Sequence, residues 1–302
     1  MAFEGKVVVI TGKSNSFISF EGSSFGIGRG IALAFGREGA AVTIHGRSVS
    51  GLEDCEKFLV ENEIPVERIL KVTGAAEDED VQRTLIDKTI QKFGRLDVLV
   101  NNAGCYHKTG LDTAIESLEN FDYVFNLNVR APVALMQLAA PHLAKTQGNI
   151  VNISTAAADM NTSQISFYVA SKHAQNSLTK SFAVRFAKDG VRVNSVSPGI
   201  IDDTRILKNS DNPDARAAAN LYFHYISDYV TPLKRPGYSK NVAAVVLFLA
   251  SPSAEYVTGA NYLVDGGCSA SLPPIDPREY PLHLVPTELL QKAIDNRKTE
   301  TQ

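Results

Sequence analysis

The residues best placed to do chemistry are a tyrosine and a lysine four positions apart, in the run Tyr168-Val169-Ala170-Ser171-Lys172. On a helix that spacing puts both side chains on one face, about one turn apart. A tyrosine hydroxyl ionises at about pH 10 in water, too high for efficient proton transfer near neutrality. An ammonium group beside it favours the phenolate and lowers that value. The pair could then exchange a proton with a carbonyl or alcohol oxygen. Taken alone, it also describes a core tyrosine beside a snorkelling lysine. The surrounding elements must decide.

Those elements form a regular alternation. The runs VVVIT (7–11), AVTIH (41–45), ILKVT (69–73), VLVNN (98–102), NIVNIS (149–154), VRVNSVS (191–197) and YLVD (262–265) are rich in β-branched residues. Helical patterns separate them, at 51–63, 79–93, between 117 and 145, and at 167–188. Strands apolar at nearly every position are buried on both faces, as in a parallel sheet covered by helices. The alternation therefore predicts an α/β fold, a doubly wound parallel sheet in a single domain over residues 1–267. A proline-rich tail follows over 268–302, with one short helical stretch at 287–296.

In such a fold, ligands sit outside the carboxyl ends of the strands, and the first strand–helix turn takes a pyrophosphate. Thr11-Gly12 closes the first strand here, and Gly26-Ile27-Gly28 opens the first helix, with Ser24 just before it. Glycine lets backbone approach phosphate closely, and the helix N-terminus adds N–H donors and a positive dipole end. Asn101-Asn102-Ala103-Gly104 follows the fourth strand. Its small residues let backbone pass near a cofactor, while its asparagines can pin strand ends. With Tyr-x3-Lys further on, this order of motifs resembles the short-chain dehydrogenase/reductase family, whose first turn reads TG-x3-G-x-G. The likeness runs from about Phe3 to Gly267.

Removing residues 13–22 leaves Thr-Gly-Ser-Ser-Phe-Gly-Ile-Gly, a full match to that turn, so ten residues, KSNSFISFEG, stand as an insertion in it. Either Gly12 or Gly22 could serve as the first glycine. Three readings of the segment stay open: a bulge that leaves binding intact, which costs little loop entropy; a disruption of the phosphate cradle; or extra sequence from a gene model or splice form.

The resemblance implies reversible hydride transfer between a nicotinamide and a carbonyl or alcohol. It implies that Tyr168 exchanges the proton, while Lys172 lowers its pKa and holds the ribose. The family's serine, thirteen positions before the tyrosine, is Thr155 here, with Ser154 as the fallback for orienting the substrate oxygen. Asn128, rather than Asn126, matches the family's asparagine, a poor helix former that would hold a relay water. Cofactor contacts are implied for Gly12, Ser24, Gly26, Ile27 and Gly28, for Asn101, Ala103 and Gly104, and for Pro198, Gly199 and Ile200. The family's Asp-Val after the third strand is read here as Lys71-Val72, leaving backbone contacts at Val72. Asp203 stands where the family has threonine, and Val264-Asp265-Gly266-Gly267 matches its last strand and ending.

Which nicotinamide is a question for the end of the second strand. An acid there bonds the ribose 2′-hydroxyl of NAD, whereas an arginine accommodates the 2′-phosphate of NADP. The sequence reads His45-Gly46-Arg47-Ser48, so Arg47 favours NADP(H) over NAD(H).

The bulk properties exclude other classes. Formal net charge is −3 with no basic patch, which argues against a nucleic-acid partner. Three cysteines are scattered without metal-type spacing, so no metal is expected and reduced thiols point to a cytoplasmic location. No signal peptide is evident, and the longest apolar run, 243–250, is too short to cross a bilayer. Leu221, Tyr222, Phe223, Tyr225 and Ile226, between 204 and 232, predict a lid suited to a hydrophobic substrate, although such residues also serve packing. Cys105, Tyr106 and Met160 are candidates for the pocket wall, and His107 and His173 are read as structural. The resemblance also implies a homodimer or homotetramer built through helices 117–145 and 167–188. The main rival is a non-catalytic binding or scaffolding member whose cofactor loop the insertion has broken. A second is an epimerising or dehydrating relative that keeps NAD tightly bound.

Overall fold

Alternation along the first strand sets the architecture. In β1 (Val7–Ile10), Val8 and Ile10 point into one apolar layer and Val9 into the other, the period of two that a doubly covered strand requires. The computed structural model describes residues 1–12, 26–107, 117–159, 165–202, 224–225 and 227–271. The segment holding the insertion and Ser24, the middle of the expected lid, and the tail from 272 onward therefore lie outside the described residues.

Six further strands join β1: β2 (Ala41–Gly46), β3 (Ile69–Thr73), β4 (Val98–Asn101), β5 (Asn149–Ile153), β6 (Arg192–Pro198) and β7 (Asn261–Val264). All pairs are parallel and the order is β3-β2-β1-β4-β5-β6-β7. The chain winds outward from β1 to β3, then returns and winds the other way from β4. That reversal opens a crevice at the carboxyl ends of β1 and β4, where ligands bind in sheets of this kind.

Helices α1 (Gly26–Arg37) and α7 (Ser239–Ala250) cover one face, where Ile31, Phe35, Val246 and Leu249 join Val8, Ile10, Val42 and Ile44. Helices α3 (Glu79–Phe93), α5 (Ala131–Thr146) and α6 (Ser166–Phe186) cover the other, with Leu85, Leu135 and Phe182 against Val9, Leu99, Ile150 and Val193. Helix α2 (Val49–Glu61) follows β2, and α4 (Leu118–Phe125) precedes α5. The local signals are readable. Ser48 caps α2 through Gly51 N, Asp78 caps α3 through Asp80 N and Val81 N, and Gly94 ends α3 in the left-handed region.

Two expectations change. The helical region expected to run through Asn128 contains a π turn, Asn126–Arg130, between α4 and α5. The helix expected to reach residue 188 gives way after Phe186 to a 3-10 turn, Ala187–Asp189, closed by Gly190 at φ 71°.

His45, near the end of β2, is buried with its ring toward the backbone of Gly12 and Gly74, whose weak bonds to it only partly offset burial. Burial brings its pKa down to about 4. The folded chain thus refuses a proton that the unfolded chain accepts from about pH 6.5. Stability present above that pH is expected to be lost as pH falls toward 4, by on the order of 3 kcal/mol. Urea unfolding at pH 7 and pH 4.5 measures this. A His45→Gln variant with the same pH slope as the wild type would show that another group is responsible.

Candidate active site

Strand β5 and helix α6 bring the chemistry together. The strand ends at Ile153, Ser154 and Thr155 follow, a short 3-10 turn runs Ala156–Asp159, and α6 then places Tyr168 and Lys172 in its first two turns. Both side chains are buried. The Thr155 hydroxyl shares a hydrogen bond with Tyr168, whereas the Ser154 hydroxyl turns to the Lys172 carbonyl at 3.4 Å. Of the two candidate hydroxyls, Thr155 is the one that meets the tyrosine.

The electrostatics differ from the sequence expectation. Burial pushes Tyr168 up to about 12, with the Thr155 bond pulling the other way. The Lys172 ammonium does not figure among the groups acting on Tyr168, and its Nζ donates to the Ile153 carbonyl at 2.6 Å and to Gln175 Oε1 at 3.1 Å. Burial also brings Lys172 down to about 8. The phenol is thereby kept protonated at neutrality, the form that can give a proton to a carbonyl oxygen.

Asn128 acts first as a strut. Its Nδ2 donates to the Cys105 carbonyl (2.7 Å) and Ser171 Oγ (2.9 Å), and its Oδ1 accepts from Cys105 N (2.9 Å). The side chain is thus committed to protein partners. A relay water would have to use its backbone carbonyl, in a π turn of the kind that loosens helical bonding at functional sites. Gly104 lies in the angle so formed: a Cβ there would come within 3.2 Å of both Asn128 Oδ1 and Lys172 Nζ.

The remaining motif residues gather along the carboxyl edge of the sheet. Asn101 Nδ2 donates to Asn152 Oδ1 (2.8 Å), tying β4 to β5. Asn102 donates to the Thr11 carbonyl (2.9 Å), and Thr11 Oγ1 accepts from the N–H groups of Asn102 and Ala103, tying β4 to β1. Gly12 is buried at the end of β1. Gly26, with φ of 70°, begins α1 and is followed by Ile27 and Gly28 in its first turn. Pro198 closes β6 opposite Val264, Gly199 N donates to the Val264 carbonyl (3.0 Å), and the Ile200 carbonyl accepts from Gly237 N (2.8 Å). Ser24, Met160, Asp203, Leu221, Tyr222, Phe223 and Ile226 lie outside the described residues.

Val72 is not brought to this edge. It lies inside β3, paired with His45 in register and buried in the core layer with Val9 and Leu85. The chain runs on to Ala76, buried beside Ala103, Cys105 and Val124, before Asp78 caps α3. Residues 74–77 thus join the end of β3 to the Asp78 cap. Lys71 instead pairs with Glu56 at 2.5 Å. Arg47 reaches the site, donating from Nη1 to the Tyr123 hydroxyl (3.2 Å) with Glu77 Oε1 at 3.9 Å. His107 stacks on Tyr106 at 4.2 Å, and His173 faces Asp159 at 3.5 Å on the surface. Sequence reasoning missed Gln175, Tyr123 and Glu77. Only Gln175 left a signal, lying three residues after Lys172 on its helix face.

The side-chain-free approach at Gly104, the glycine-opened helix N-terminus and the arginine at the end of β2 fit a dinucleotide laid across the β1–β4 crevice. Comparison with known proteins agrees. The family model described as enoyl-(acyl carrier protein) reductase matches residues 22–269, beginning at the glycine that closes the ten-residue segment. L-fucose dehydrogenase of Bos taurus is 37% identical over 267 residues, covering 88% of this chain and 90% of that protein. The 3-oxoacyl-[acyl-carrier-protein] reductase FabG of Thermotoga maritima is 34% identical over 269 residues, covering 88% and 99%. Among solved structures, a short-chain dehydrogenase/reductase of unknown function from Caenorhabditis elegans, with cofactor, superposes with a TM-score of 0.76 at 32% identity, covering 90% of this chain and 98% of that one.

The chain belongs to the short-chain dehydrogenase/reductase family. It is an NAD(P)-dependent oxidoreductase.

Replacing Asn128 by Ala strands the N–H and the carbonyl of Cys105 in the interior, and is expected to cost about 2–4 kcal/mol of stability. Chemical unfolding measures it, and a loss under 0.5 kcal/mol, roughly the scatter of surface changes, would show that Asn128 is not a strut.

Proposed function

We propose that the chain transfers a hydride reversibly between NADP(H) and a carbonyl/alcohol substrate. The domain is 1–267, with 268–302 an accessory tail; the location is the cytoplasm, and the assembly a homodimer or homotetramer. No nucleic acid and no membrane takes part. The observation that carries the chemistry is the buried Tyr168 hydroxyl bonded to Thr155, one helical turn from the Lys172 ammonium.

Bound nicotinamide supplies or accepts the hydride. The residues of the chain handle everything else. Thr155 orients the substrate oxygen by hydrogen bonding, and Tyr168 gives that oxygen a proton in reduction or takes one in oxidation. Lys172 would hold the ribose hydroxyls and restore the proton on Tyr168, and Asn128 fixes the loop after β4 beside them. Gly12, Ser24, Gly26, Ile27 and Gly28 would hold the pyrophosphate, and Asn101, Ala103, Gly104, Pro198, Gly199 and Ile200 would supply the remaining cofactor contacts. Arg47 supports the choice of NADP(H), since its planar fork suits phosphate oxygens.

A hydrophobic substrate is supported by the aromatic residues of 204–232. A second reading, a sugar hydroxyl, is favoured by the names of relatives. One is the L-fucose dehydrogenase already described, and another is L-rhamnose 1-dehydrogenase (NAD(P)(+)) of Sphingomonas, 31% identical over 278 residues. A panel of aldoses against apolar ketones and alcohols separates the two.

Calorimetric titration tests the cofactor reading. NADPH is expected to bind at micromolar concentration and NADH more weakly. Arg47→Ala should weaken NADPH about tenfold and leave NADH within about twofold. Binding of neither dinucleotide would favour the non-catalytic rival, and the chain lacking residues 13–22 would then show whether the insertion is the cause.

With dinucleotide binding established, Tyr168→Phe is expected to lower turnover by about 10²–10⁴-fold while NADPH binding persists, because only the proton-transfer group is lost. Steady-state rates beside calorimetry check this, and a variant of near wild-type activity would remove Tyr168 from the chemistry. Lys172 loses its proton as pH rises through about 8, so NADPH affinity should decline above that pH in the wild type. In Lys172→Met the decline should be absent, and an equal decline in both proteins would assign it to another group.

A further inference from the structure

We propose that Glu77 is a second determinant of nicotinamide choice, one that opposes Arg47 and narrows the preference for NADPH over NADH. The proposal rests on the Arg47 reading above.

The geometry is that of a charge pair at the mouth of the crevice. The guanidinium of Arg47 lies between the Tyr123 hydroxyl, 3.2 Å from Nη1, and Glu77 Oε1, at 3.9 Å. At 3.9 Å the carboxylate contact is Coulombic rather than a hydrogen bond. Both side chains are mostly enclosed, at 20% and 18% exposure. Glu77 Oε2 is fully enclosed and has no hydrogen-bond partner among the described residues. A carboxylate is an acceptor only, and leaving its oxygen without a donor is costly.

Neighbouring backbone holds Glu77 there. Ala76, immediately before it, is buried, and its carbonyl accepts from Gln82 Nε2 at 2.7 Å. Asp78, immediately after it, caps α3. With both flanks fixed, the carboxylate has little freedom to swing clear of Arg47.

The two nicotinamides differ at one ribose position, and a carboxylate treats the two groups oppositely. A 2′-hydroxyl is a donor and could bond the Glu77 carboxylate through the part of it that stays open. A 2′-phosphate has acceptors and up to two negative charges, so Glu77 repels it while Arg47 attracts it. The attraction is therefore partly cancelled, and NADH gains a partner that NADPH cannot use.

Calorimetric titration of the full chain with NADPH and NADH tests this through binding alone. Glu77→Gln keeps the shape and removes the charge, and is expected to tighten NADPH about fivefold or more without tightening NADH. An unchanged ratio of the two affinities in this variant, with unfolding showing it folded, would overturn the proposal. Should the glutamine variant fail to fold, Glu77→Ser answers the same question with the same two outcomes. Arg47→Ala, run alongside, separates the two ideas. If it collapses the ratio while Glu77→Gln leaves it unmoved, only the role of Glu77 is lost; if neither moves it, the Arg47 reading falls as well.

Discussion

The carboxamide of Asn128 bonds the N–H and the carbonyl of Cys105 and the hydroxyl of Ser171 in one cluster. Those groups belong to the loop after β4, the π turn before α5 and the first turns of α6. None of the three would be held in place by strand pairing, because all lie beyond the sheet's hydrogen-bonded ladders. A single side chain with two donors and one acceptor in a fixed plane sets their relative position. Gly104 then passes under Lys172, and the tyrosine meets Thr155, because that position is set.

Behind this cluster the site is buried and polar at once. Asn101, Asn152, Gln175 and Thr179 are all buried and bonded to one another or to nearby backbone. Buried polar groups of this kind stay favourable only when their partners are in place. Burial raises Tyr168 and keeps its phenol uncharged at neutrality, whereas Lys172 comes down only to about 8 and keeps its ammonium there. The carbonyl of Ile153 and the oxygen of Gln175 then give the lysine acceptors that water would otherwise provide.

Much of this was legible in the sequence, for stated reasons. Strands covered on both faces are apolar at nearly every position, and the ILKVT and Glu79–Phe93 elements fall at the predicted residues. The π turn at Asn126–Arg130 was not legible, since one wider turn hardly disturbs an apolar periodicity. The direction of Lys172 is a tertiary matter: spacing puts it on the face of Tyr168 but cannot say which carbonyl draws its ammonium. Glu77 belongs to no motif, and only the folded chain puts it beside Arg47.

Strand β1 has a parallel neighbour on each side, and α1, which begins at Gly26, lies against α7 over the same core. The first turn therefore springs from one anchored point and returns to another. Closure entropy of a flexible connection between fixed ends rises only with the logarithm of its length. Length added at a joint anchored in this way would cost the scaffold little. Variation there can alter cofactor handling while the sheet keeps its register, which makes the turn a separable part of the enzyme.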